Sequence, residues 1–139
     1  VTPHAPTLIR AATAAALALT LAGCTGAPDA GDLTQRLGAG VEEARSTVEQ
    51  AQEAAGDAPA VQSAVATARE ALAEARAALD DDADGDRLAR ARGSLDEAAQ
   101  AVDRAAESAG STAGAVLERL GDQIRRLSAD LEDAAGQVR

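Results

Sequence analysis

Apolar residues recur along most of this chain at alternating intervals of four and three, which is the spacing of one helical face in a heptad seam. A first run is Leu37, Val41, Ala44, Val48, Ala51 and Ala55. A second is Val61, Val65, Ala68, Leu72, Ala75 and Leu79. A third is Leu88, Ala91, Leu95, Ala98, Val102, Ala105 and Ala109. The fourth, Leu117, Leu120, Ile124, Leu127, Leu131, Ala134 and Val138, is the richest in large side chains. No stretch alternates with the period of two that a strand requires.

Punctuation separates the runs. Asp32 is expected to cap the first helix, with Gln35 three residues on in a capping-box arrangement. Gly38 and Gly40 weaken its first turns. At Gly56-Asp57-Ala58-Pro59, Gly56 suits a left-handed C-terminal position, Asp57 an N-cap and Pro59 a first turn. The acidic stretch Asp80-Asp81-Asp82-Ala83-Asp84-Gly85 should end the second helix, because acids meet the negative end of the helix there. Asp86 is expected to cap the third. Gly93-Ser94, followed by Glu97, predicts a kink or restart within it. Gly110-Ser111-Thr112 marks the last break.

Four helices joined by short turns imply antiparallel neighbours. The fold class is all-α: an antiparallel helical bundle, or paired helical hairpins, of about four Ala-rich heptad helices. On the exposed faces, Arg45/Glu49, Arg76/Asp80, Asp122/Arg126 and Arg126/Asp130 have the spacing of helical ion pairs, each contributing only a few tenths of a kcal/mol. The seams are thin in large side chains. Only 18 Leu, Val or Ile residues follow Cys24, so close alanine packing, self-association or a partner must supply the remaining contact.

Upstream of the seams the pattern changes. Ala11 to Ala22 is an uninterrupted run of Ala, Leu and Thr, preceded by Arg10. About 12 residues suit the apolar stretch of a signal peptide and fall short of the roughly 20 needed to span a membrane. The run ends in Leu21-Ala22-Gly23-Cys24, which contains the only cysteine. These four residues resemble the lipobox of a bacterial lipoprotein. The resemblance covers residues 1–24 only. It implies cleavage before Cys24, lipidation of its sulfur, and residence at the cell membrane on the extracytoplasmic face, with no transmembrane helix. A diacylglycerol anchor carries two chains, enough for stable attachment. Val1 in place of Met reads as a GTG start codon. The expected organisation is a signal peptide over residues 1–23, a lipidated Cys24 with a flexible tether over 24–31, and a helical domain over 32–139.

Composition narrows the function. The net charge is −10, and loss of residues 1–23 removes Arg10 and no acid. Lys, Asn, Phe, Tyr, Trp and Met are all absent, and Ile occurs only at Ile9 and Ile124. Residues with AT-rich codons are therefore missing together, which points to a GC-rich genome such as an actinobacterium's. An acidic surface without aromatics argues against nucleic acid, whose binders displace counterions with basic side chains and stack bases on rings. Catalysis is poorly provided for. The only His, His4, lies in the leader, and no Tyr or Lys exists to move protons. The chain is read as a non-enzyme.

Asp80, Asp82, Asp84 and Gly85 resemble the opening of an EF-hand calcium loop. Position twelve of that pattern is Ala91 where a bidentate Glu is needed, and position eight is Arg87 rather than an apolar residue. This leaves a solvated acidic turn with, at most, weak calcium affinity, and no other cofactor is expected. The apolar stripe of the fourth helix is either the best core face of the bundle or a docking helix for a partner. Small lipoproteins of the murein-lipoprotein family attach to the cell wall through a C-terminal Lys. This chain has no Lys and ends Gln137-Val138-Arg139, so attachment of that kind is not expected. The expected role is a membrane-anchored structural or interaction module, a spacer or a binder of an envelope protein or of itself. The alternatives are a lipid- or hydrophobic-ligand-handling protein and a weakly calcium-responsive surface module.

Overall fold

The computed structural model describes residues 30–80 and 84–137. Four α-helices account for nearly all of them: α1 (Ala30–Ala55), α2 (Pro59–Asp80), α3 (Gly85–Ser108) and α4 (Ser111–Gln137). No strand occurs among the described residues. Each helix packs against its neighbours in the chain, and α1 also packs against α4. That last contact closes the ring. The protein is one four-helix bundle rather than two separate hairpins.

Cross-helix contacts fix the directions. Along α1 and α2, Glu42 meets Arg76 and Gln52 meets Arg69, so numbers fall on one helix as they rise on the other. The same opposition relates Asp96 to Ser128 and Asp103 to Arg125 across α3 and α4. Across α1 and α4 it relates Gly40 to Leu127 and Glu43 to Gln123. All adjacent helices are antiparallel. The up-down-up-down order follows from connections too short to cross the bundle.

The heptad seams form the core. Leu37, Val41, Leu72, Leu88, Leu95, Leu117, Leu120, Ile124 and Leu131 are among its fully buried members. Alanine occupies the positions between them: Ala44, Ala51, Ala68, Ala75, Ala91 and Ala98 are at most 1% exposed. Small side chains there let the backbones come close, so a core poor in large residues still excludes water. Ala55 and Ala109, at the ends of their seams, are only partly buried. Val138 lies outside the described residues. Thr47 is buried although its hydroxyl is polar, because it donates to the Glu43 carbonyl one turn earlier at 3.1 Å.

Several helix ends differ from expectation. Because α1 starts at Ala30, Asp32 lies in its first turn and pairs with Arg36 instead of capping. A carboxylate there still favours the positive end of the helix. Gly56 does adopt the left-handed conformation, with φ of 55°. Pro59 is the first residue of α2, as expected, but this forces the cap position onto Ala58. The Ala58 carbonyl accepts from Val61 and Gln62, and Asp57 stands one residue too early to cap. At α3 the cap is Asp84 rather than Asp86. The Asp84 side chain accepts from the Asp86 N–H at 3.3 Å, and its carbonyl accepts from Arg87 and Leu88. Gly93 does not restart α3, which is continuous helix through it. Leu88 and Leu95, buried on either side, hold that helix to the core. Ser94 turns its hydroxyl to Glu74 of α2 at 2.5 Å, and so does not cap.

Candidate functional site

The expected lipidation site Cys24 and its flanking Leu21, Ala22 and Gly23 lie outside the described residues. Five residues lie between Cys24 and the first residue of α1, which makes six steps along the chain. At roughly 3.5 Å per residue, that segment reaches about 20 Å at most. The start of α1 is therefore the end of the bundle nearest the expected lipidation site. The end of α2, the start of α3 and the C-terminal end of α4 share this end, because α1 and α3 run one way and α2 and α4 the other.

Two of the three aspartates of the expected calcium turn are described. Asp80 closes α2 and accepts from Arg76 Nε at 3.1 Å. Asp84 caps α3. Asp82 lies outside the described residues. Gly85 is the first residue of α3, so the two described acids are each committed to a helix end. Among the described residues, no group of three or more His, Cys, Asp or Glu side chains is placed to hold a metal ion.

The apolar stripe of α4 faces inward. Leu117, Leu120, Ile124, Leu127 and Leu131 are all buried in the core, so the stripe offers no surface for docking in this fold. None of the helices described is long and apolar enough to cross a membrane.

Polar side chains flank each line of helix contact. Between α1 and α2 lie Glu42–Arg76 and Gln52–Arg69, and between α2 and α3 lies Ser94–Glu74. Between α4 and α1, Gln123 Nε2 donates to Glu43 at 3.0 Å. The α3–α4 line is the most elaborate. Arg125 Nη1 donates to both oxygens of Asp103 at 3.0 and 2.8 Å, and Nη2 donates to Asp122 at 2.7 Å. These bonds, Asp122's first and then Asp103's, raise the Arg125 pKa above its ordinary value, against a smaller opposing effect of burial. The guanidinium is thus a permanent cation that clamps two helices, with no proton to give at ordinary pH. Nearby, the buried Ser128 donates to Asp96 at 2.6 Å, and Arg92 reaches Glu132 at 3.1 Å.

Two glycines permit this closeness. A Cβ on Gly121 would stand 2.9 Å from Asp103 Oδ1, so a bare backbone lets Asp103 lean over α4 towards Arg125. A Cβ on Gly40 would stand 2.7 Å from Leu127 Cδ2. The sequence signal for both was a glycine inside a helical run with no turn to explain it. Of the ion pairs expected from spacing, Arg76–Asp80 forms, while Arg45 reaches Glu42 and Asp122 reaches Arg125.

The surface recesses are open and lack aromatic walls. One of 380 Å³ runs between α1 and α2, lined by Gly38, Ala39, Glu42, Arg76 and Leu79 among others. Another of 330 Å³ sits at the opposite end of the bundle from the start of α1, where Ala55, Ala58, Ala109 and Gly110 line it. Their walls supply neither a nucleophile–base pair nor a stacking platform. Comparison with protein-family models, with curated proteins and with solved structures finds no match to this chain.

Proposed function

We propose that the protein is an extracytoplasmic lipoprotein in which Cys24 carries the membrane anchor and the bundle serves as a structural or interaction module. The observation that carries this reading is Leu21-Ala22-Gly23-Cys24 at the end of a short apolar run preceded by Arg10. The bundle supports it in a second way. Its apolar seams are occupied internally, which leaves a polar, net acidic exterior suited to standing in an aqueous envelope compartment. The partner is an envelope protein or a second copy, met through that exterior. The chain acts as spacer or docking post and performs no chemistry.

Metabolic labelling with an alkyne fatty acid, combined with fractionation, tests the anchor. Wild-type protein should take up label and sediment with membranes. Cys24→Ala should take up none, and should be either released or retained uncleaved. A Cys24→Ala variant as membrane-bound and as processed as wild type would overturn the proposal.

A further inference from the structure

We propose that α1 is a releasable strap, opening from a three-helix remainder while α2, α3 and α4 stay packed. The apolar grip of α1 is the smallest in the bundle. It buries three branched aliphatic side chains, Leu37, Val41 and Val48, together with two alanines. In α4 five such side chains are buried, and in α2 four. The α3 helix also buries three, but adds four alanines and accepts the part-buried Ser128 hydroxyl of α4 at Asp96.

The polar contacts of α1 do not compensate. Glu42, Gln52 and Glu43 all meet their partners on exposed surface, where such bonds stabilise weakly. Glycines at 31, 38 and 40 lower the intrinsic helicity of the same element. The hinge is built in as well. Gly56 in the left-handed region ends α1, and Pro59 starts α2 independently of what precedes it. Segments with few buried apolar contacts open at lower free energy than the rest of a domain.

The consequence for reach rests on the anchoring proposed above. The strap is the helix that leads to Cys24. Its release would let the remainder move away from the membrane by roughly the 39 Å length of a 26-residue helix, with no change in α2–α4.

Hydrogen exchange on the full-length chain carrying Cys24→Ala, read by mass spectrometry, tests the opening without involving the anchor. Interior amides of α1 should exchange about tenfold faster than those of α2–α4. A Gly93→Ala change in α3 sharpens the test, because the Cβ meets nothing within 4 Å and should only add helicity. It stabilises the closed bundle and the α1-open state equally. Exchange in α2–α4 should therefore slow about fivefold while α1 is unchanged. If α1 exchanges at the rate of the other helices, or slows with them in Gly93→Ala, the strap does not exist. Fatty-acid labelling of wild type reports on the anchor separately, so the two readings fail independently.

Discussion

Two glycines inside helices allow the packing account to be tested with a single kind of substitution. Replacing a helix-interior glycine by alanine adds about 0.8–1 kcal/mol of intrinsic helix stability wherever the methyl group fits. At Gly93 nothing lies within 4 Å of the new Cβ. Gly93→Ala should therefore stabilise the bundle by the full amount, and about 1 kcal/mol corresponds to a Tm rise of roughly 4 °C for a domain of this size. At Gly40 the same Cβ would stand 2.7 Å from Leu127 Cδ2 and 3.6 Å from its Cγ. Carbon atoms rest at about 3.5–4.0 Å, so the first contact is short by about 1 Å.

Leu127 is 4% exposed and hemmed in by its neighbours. Moving it off its rotamer, or pushing α1 away from α4, costs about 1–3 kcal/mol. Gly40→Ala should accordingly fall between neutral and about 2 kcal/mol destabilising, and the two variants should differ by about 1–3 kcal/mol. Urea unfolding of residues 30–139, followed by far-UV circular dichroism, measures both. A Gly40→Ala protein stabilised as much as Gly93→Ala would mean that Leu127 yields freely and that the α1–α4 approach does not limit packing. A double-mutant cycle adds a check, since Leu127→Ala should cost less in the Gly40→Ala background than alone.

Leu120 is fully buried, and Leu120→Ala should destabilise by about 2–5 kcal/mol, read as a large fall in the urea midpoint; a shift under about 1 kcal/mol would contradict its place in the core. Asp84→Ala should cost about 1 kcal/mol through loss of the α3 cap, and more than Asp86→Ala by thermal melt; the reverse order would restore the cap to Asp86. Arg125→Gln removes the most elaborate ion-pair cluster in the bundle, yet its members are about half exposed, so it should cost less than about 1 kcal/mol in the same melt.

The seams were legible in the sequence because four-three spacing depends only on the helix itself. Each of the twenty-five seam positions that fall within the described residues is apolar at a fixed interval, which needs no neighbour to be read, and all but Ala55 and Ala109 are buried once the partner helices arrive. Cap assignments were less secure because a single residue decides them. Asp84 and Asp86 are chemically equivalent caps, and only the starting point of α3 separates them. Pro59 did carry the information that displaced Asp57, since a proline in the first helical position makes the preceding residue the cap. Gly93 misled in the opposite direction: a local helix breaker is overruled when Leu88 and Leu95 are both held in the core. Contacts between helices were out of reach of spacing rules. Arg125 chooses Asp103, 22 positions earlier in the chain, and takes Asp122 from Arg126 because it lies on the side of α4 that faces α3. The candidate site stands the other way round. The four residues ending in Cys24 are read entirely from sequence, and what the fold adds is the position of the bundle end next to them.

That end has a consequence for the proposed role. An even number of antiparallel helices returns the chain to where it began, so the start of α1, Asp80 at the end of α2, Asp84 before α3 and the end of α4 gather at one end, on the side of the proposed anchor. The Ala- and Gly-lined recess at the other two connections is carried to the far tip, about 33–40 Å away by the lengths of α2 and α4. An anionic membrane surface repels the acidic end at short range, within roughly one Debye length. A lipid on Cys24 would then hold the bundle by a tether of about 20 Å while charge keeps its base off the headgroups. Under this arrangement the faces free to meet a partner are the flanks and the tip, and a partner that binds the tip is held at a distance set by helix length. Shortening every helix by two heptad turns should bring such a partner closer without altering its affinity, whereas a contact on the flanks would lose surface and weaken.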